Sequence, residues 1–297
     1  MSDYILSCCS TADLSKEHFD RRDIKYVCFH YRMDGTDYPD DLGQTISFDD
    51  FYSTLRKNPD IEVSTSQVNI SEYLEHFEAY LKEGKDILHL CLSSGISGTY
   101  NAAKSAALIA RERYPERKIL IVDSLAASSG FGLLMDMLAD MRDEGKTIDE
   151  LCEWTEAHKL NIHHLFFSTD LSFYVKGGRV SKTAAFFGGI LNICPLLRVD
   201  SKGMLVPLEK VRGKKAVIKQ MVKRMMELVD NGSAYTGKCY ISQSDCPEDA
   251  EEVARLIGEQ IPALKGKVEI YSIGTTIGSH TGPGTVALFF YGKEREN

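Results

Sequence analysis

The run Asp86-Ile87-Leu88-His89-Leu90-Cys91-Leu92 passes directly into Ser93-Ser94-Gly95-Ile96-Ser97-Gly98-Thr99. Reading this junction decides the fold. Seven mostly apolar residues ending at small hydroxyl residues and glycines have the length of a strand buried on both faces. A helix is predicted over 97–113. Further along, strands are predicted at 117–122 and 162–168, with helices at 130–143 and 148–159 between them. Apolar strands alternating with amphipathic helices imply a parallel sheet with helices on both faces. Working back, residues 4–8 form a short apolar run, and 24–33 read as one strand closed by the tight turn Asp34-Gly35. Ser47 suits the N-cap of a helix reaching Arg56. Ile70, Tyr73, Leu74, Phe77 and Leu81 share one face of another helix, which stops at Gly84. These elements make an N-terminal α/β domain, residues 1–160, with a mainly parallel sheet.

Beyond residue 160 the rhythm changes. Residues 194–211 read as two strands joined at Asp200-Ser201-Lys202-Gly203, hence antiparallel. A helix over 214–229, a strand over 238–242 and a helix over 247–260 follow. Two more strands, 267–273 and 285–291, flank the glycine-rich segment 274–284. The expectation is a second α/β domain, residues 161–297, with a mixed sheet.

Composition narrows the function. Of 297 residues, 43% are hydrophobic and 26% charged, the balance of a globular protein with a large core. The formal net charge is −8, and Lys214, Lys215, Lys219, Lys223 and Arg224 fall at helical spacing as a solvated face, so nucleic acid is not an expected partner. The start, Met1 to Leu6, lacks a signal-peptide pattern, and no apolar run reaches the roughly 18 residues of a membrane span. Eight cysteines form no CxxC pair. The expected compartment is reducing and cytoplasmic.

Four segments gather hydroxyl residues and glycines where strands end: Ser64–Gln67, Ser93–Thr99, Tyr174–Arg179 and Ser279–Gly284. A strand-to-helix junction is where an open α/β sheet places its ligand, and the free N–H groups of the first helical turn favour an anion. Ser94, Ser97 and Thr99 add hydroxyl donors there, although a serine N-cap needs no ligand. His280, between Ser279 and Thr281 and before Gly282-Pro283-Gly284, is expected on a stiff turn facing a cleft. Other patterns carry less. Gly232–Cys239 resembles a phosphate loop but has Cys239 where a magnesium-binding hydroxyl belongs, and it follows a helix instead of a strand. His163 and His164 would point to opposite faces of a strand, so with His158 they make no metal set; no metal is expected. No Gly-x-Ser-x-Gly elbow occurs. Residues 184–191, with Ile193, Leu196 and Leu197 beyond, are apolar on nearly every side. They read as a core helix or as the wall of an acyl tunnel.

Taken together these segments resemble the DegV family, bacterial proteins that bind fatty acids, some as the acyl-binding partner of a fatty acid kinase. The resemblance runs in order through Ser10-Thr11-Ala12-Asp13-Leu14, Asp34-Gly35 with Tyr38 and Asp40, and Thr65-Ser66-Gln67. It continues through Leu92–Thr99, Asp123-Ser124, Gly177-Gly178-Arg179 with Ser181-Lys182, and His280–Gly284. Cys9 stands where the family usually has an acid, and Val68 where proline is common. The resemblance implies two α/β domains with a long-chain fatty acid between them and no other cofactor. By motif position Thr65, Ser66, Ser94 and Ser97 would hold the carboxylate, faced by His280 and Thr281. Arg179 would lie at the mouth, where a fatty acid kinase docks, and peripheral membrane contact would serve lipid exchange. In that reading the protein is not itself an enzyme. The competing reading is a small-molecule hydrolase or acyltransferase using Ser94 or Ser97 with His280.

Overall fold

A computed structural model describes residues 3–58, 60–180 and 193–296. In chain order the first half contains β1 (Tyr4–Cys9), α1 (Lys16–Arg21), β2 (Ile24–Val27), β3 (His30–Met33), β4 (Thr36–Pro39) and α2 (Phe48–Lys57). It continues with β5 (Val63–Ser66), α3 (Ile70–Leu81), β6 (Asp86–Cys91), α4 (Thr99–Arg113), β7 (Ile119–Asp123), α5 (Ser128–Asp143) and α6 (Ile148–His158). The second half contains β8 (Ile162–Ser168), α7 (Ser172–Gly177), β9 (Ile193–Val199), β10 (Leu205–Arg212) and α8 (Lys214–Leu228). Then come β11 (Cys239–Gln243), α9 (Pro247–Gln260), β12 (Glu269–Ser272), α10 (Thr275–Thr281) and β13 (Thr285–Tyr291).

Three sheets result. The first is parallel throughout, in the order β2-β1-β6-β7. The second is mixed, in the order β10-β9-β8-β13-β11-β12, and only its β11–β12 pair is parallel. The third, β4-β3-β5, is small and antiparallel. The fold is thus α/β with a parallel and a mixed sheet. The 24–33 segment departs from expectation: it is two strands, β2 in the parallel sheet and β3 in the small one. The chain leaves one sheet for the other at Cys28-Phe29, where the Phe29 amide donates to Ser10 Oγ at 3.1 Å instead of to a strand neighbour. The Asp34-Gly35 turn does join β3 to β4, both residues having the positive φ (49° and 75°) that such a tight hairpin turn requires.

Helix α5 lies between the two large sheets, touching β1 on one side and β8, β11 and β13 on the other. Its residues Ser128–Met135 are therefore all buried. The alternation of β8 and β13 divides the core accordingly. Phe166, Ala287 and Phe289 face α5 and the first sheet, while Leu165, Phe167, Leu288 and Phe290 face α8 and α9. With core on both faces, every residue of β8 is buried, its two histidines included.

Candidate functional site

The three sheets enclose a cavity of about 430 Å³, within the usual range for a small-molecule site. Most of its wall is apolar: Phe29, Phe166, Val199, Leu205, Ile277 and Phe289, with Ala127 and Ala287. A polar group collects where Thr65, Gln67, Ser97, Arg179 and His280 reach the lining.

Thr65 points inward because β5 alternates. It stands opposite Tyr31 of β3, and the neighbouring Ser64 and Ser66 are the more exposed residues. Thr65 Oγ1 lies 2.7 Å from His280 Nε2, so residues 215 positions apart form one hydrogen bond. His280 does not sit on a turn as the glycines suggested. It occupies the last turn of α10, whose ends are Gly274 at the N-cap and Gly282, with φ +68°, just past the C-terminus. The glycines mark helix boundaries here, and the Gly-Pro-Gly turn comes after the histidine. Burial pushes the His280 ring down to about 4, with the Arg179 charge adding to the shift and the Gly177 backbone opposing it. The neutral ring has one N–H. If Nε2 carries it toward Thr65, the threonine O–H is free to donate to a ligand. Nδ1 is buried without a partner in hydrogen-bonding geometry among the described residues.

Ser97 Oγ accepts the Thr99 amide at 3.2 Å and donates to Gln67 Oε1 at 3.4 Å. It stands just before Gly98, the N-cap of α4, which begins two residues later than its sequence suggested. The 15-residue α4 thus starts at the cavity, since Gly98 belongs to the lining, and the Asn101 amide of its first turn donates to the Gly98 carbonyl at 3.1 Å. Ser66 and Thr281 also reach the lining, but Thr281 Oγ1 already donates to the Ile277 carbonyl at 3.2 Å. Ser94 does not line the cavity. It is exposed, and its amide donates to Asp123 Oδ1 at 3.0 Å. Arg179 follows Gly178, donates to the Gly177 carbonyl at 2.9 Å, and is both exposed and part of the lining. Gln67 is an addition. It sits in a quoted motif, yet an amide among hydroxyl residues gave no separate signal.

The arrangement offers hydroxyl, amide and guanidinium donors at one place and an apolar chamber beyond. It suits a carboxylate on an aliphatic chain. It lacks the contact a hydrolase needs: His280 Nε2 meets Thr65, whereas Ser97 meets Gln67 and Ser94 lies outside the lining. The weaker patterns resolve too. His163 donates to the Lys293 carbonyl at 2.6 Å, and His164 lies between the Ala127 amide and the Ile162 carbonyl. His158 meets Tyr291 OH at 2.9 Å. Among the described residues no three His, Cys, Asp or Glu form a metal-binding group, and no helix is long and apolar enough to cross a membrane. Gly232–Ala234 is a 3-10 turn in the loop before β11. Of the apolar stretch, residues 184–191 lie outside the described residues. Leu196 and Leu197 belong to the cores, and the lining at this edge comes from Val199 and Leu205.

The chain as a whole is similar to known proteins. Residues 9–293 match the family described as "Uncharacterised protein, DegV family". A DegV domain-containing protein of Clostridium perfringens is 39% identical over 296 residues, covering all of both chains. Among solved structures, a fatty acid binding DegV family protein from Streptococcus agalactiae superposes with a TM-score of 0.85 at 26% identity, over 99% of this chain and 100% of its own. A DegV lipid binding protein from Thermotoga maritima gives 0.83 at 26% identity over the whole of both chains. With a family match over nearly its whole length and a full-length relative at 39% identity, the chain belongs to the DegV family.

Proposed function

We propose that this protein binds one long-chain fatty acid, its carboxylate held by Thr65, Ser97 and His280 and its tail in the apolar cavity. The observation that carries the reading is the 2.7 Å contact between Thr65 and His280 at the polar edge of a cavity whose wall is mostly apolar. Each buried CH₂ contributes about 0.8 kcal/mol, so the tail supplies most of the affinity and the polar edge supplies orientation. The relatives whose descriptions name lipid or fatty acid support the same ligand. Residues 1–160 and 161–297 act as two domains in this account, with the acid between them. Ser66 borders the head-group, Thr281 holds its helix, and Ser94 acts only through the loop it belongs to. Thr65→Val and Ser97→Ala should each weaken binding of a fluorescent fatty acid by about 1–3 kcal/mol while the circular dichroism spectrum is kept. Unchanged affinity in the double variant would place the carboxylate elsewhere.

We further propose that the bound acid is presented, in the cytoplasm, to a fatty acid kinase, with nucleotide and metal supplied by that partner. Transient membrane contact would serve exchange. Arg179 supports this reading because it is exposed at the cavity edge, just behind the Gly177-Gly178 pair that ends α7. Arg179→Ala should keep most fatty acid affinity and lower acyl phosphate formation by an added kinase. Equal turnover with variant and parent would remove Arg179 from the docking surface.

A further inference from the structure

Helix α10 is seven residues long, yet it must deliver His280 to within hydrogen-bonding distance of Thr65. A helix this short has little stability of its own, so its position is set by what grips it. The small sheet reaches it at both ends. At the last turn the contact is Thr65 of β5 with His280. At the first turn it is Asp40, the residue after β4. Asp40 Oδ1 accepts Thr275 Oγ1 at 2.8 Å, and Oδ2 lies 3.4 Å from the Thr276 amide. Just before the helix, Tyr52 of α2 donates to the Ile273 carbonyl at 2.7 Å.

Asp40 is anchored in turn. Its amide donates to the Phe29 carbonyl at 2.8 Å, and Oδ2 accepts Ser10 Oγ at 3.3 Å, linking it to the end of the central strand β1. The residue is 1% exposed, and no cationic side chain pairs with it among the described residues. Asp13, 3% exposed, approaches the same place, since a Cβ on Gly274 would meet Asp13 Oδ1 at 2.6 Å and Asp40 Oδ1 at 3.4 Å. Burying carboxyls without a cation opposes folding. What the Asp40 carboxyl provides in exchange is a fixed start for α10.

We propose that Asp40 is a positioning residue for the head-group site: with Thr65 it grips α10 at both ends and so sets His280 in register with the threonine. The proposal rests on the reading of Thr65 and His280 as the carboxylate site, and its test separates the two. The ring nitrogens of His280 are followed by NMR in the ligand-free, nitrogen-15-labelled protein, and fatty acid affinity is measured separately. Asp40→Ala should shift the His280 ring signals and weaken binding at least tenfold. Asp40→Asn, which keeps an acceptor for the first turn, should restore most of both. Should Asp40→Ala fail to fold, Thr275→Val removes one arm of the grip and Thr275→Ser returns it, with the same pair of readouts. Ring signals unchanged in folded Asp40→Ala, or in Thr275→Val if that variant must stand in, would overturn the proposal. So would weakened binding with those signals unmoved. Shifted ring signals in a protein whose parent binds no fatty acid would leave the grip standing and reject the carboxylate site.

Discussion

His280 shows how a single side chain is prepared for an anion by its surroundings. Its ring is neutral at ordinary pH because burial and the Arg179 charge both disfavour a second proton. A carboxylate placed beside it would act in the opposite direction and raise its pKa. In the ligand-free protein the ring should therefore stay neutral down to about pH 4, and fatty acid should move that midpoint upward. From about pH 6.5 down to about 4 the unfolded chain takes up a proton that the folded one refuses, so this ring's contribution is complete above that window and lost as pH falls through it. An NMR titration of His280 with and without palmitate checks both statements, and a midpoint that ligand leaves in place would mean no carboxylate sits there. Thr65, Ser97 and His280, which line the cavity, could be singled out beforehand from hydroxyl residues and glycines gathered where strands end and from the family resemblance. Gln67 and the buried Asp40 were not legible as working groups, since their roles depend on partners 30 and 235 positions away.

Helix α5 makes the corresponding point for elements. It begins Ser128-Ser129-Gly130-Phe131-Gly132, a weak helical start by intrinsic preference. The glycines are there for closeness. A Cβ at Gly130 would come within 2.4 Å of His164 Nε2 and 2.6 Å of Phe289, and one at Gly132 within 2.5 Å of the Ala12 carbonyl. At these two positions the neighbours approach the helix too closely for any side chain. Gly130→Ala should destabilise the fold by on the order of 1–3 kcal/mol despite its better helix propensity, as read by urea denaturation. A stabilised variant would mean that the sheets are not packed this tightly on the helix. The main strands and helices follow from periodicity, within a few residues at their ends. Several features do not, β5 and α7 among them, for which no element was expected. The break of 24–33 into strands of different sheets is decided by tertiary pairing, because both pieces have the same strand-like composition. The helix within 274–284 was hidden by glycines at its boundaries.

For the molecule as a whole, the cavity exists because two sheets of different kind share α5 and are bridged by a third. The parallel sheet brings the α4 terminus, the mixed sheet brings the Phe166 and Phe289 wall, and the small sheet brings Thr65. None of the three alone encloses a chamber. This assembly follows from the order of motifs more than from any one of them, which is why the family resemblance was specific although each motif was weak. The central claim is that the chamber holds one fatty acid. Native mass spectrometry of the purified protein, followed by denaturing extraction, tests it most directly. The account predicts one long-chain fatty acid per chain, released on denaturation and restored when palmitate or oleate is added back. A protein that carries no lipid and takes up neither acid would contradict it.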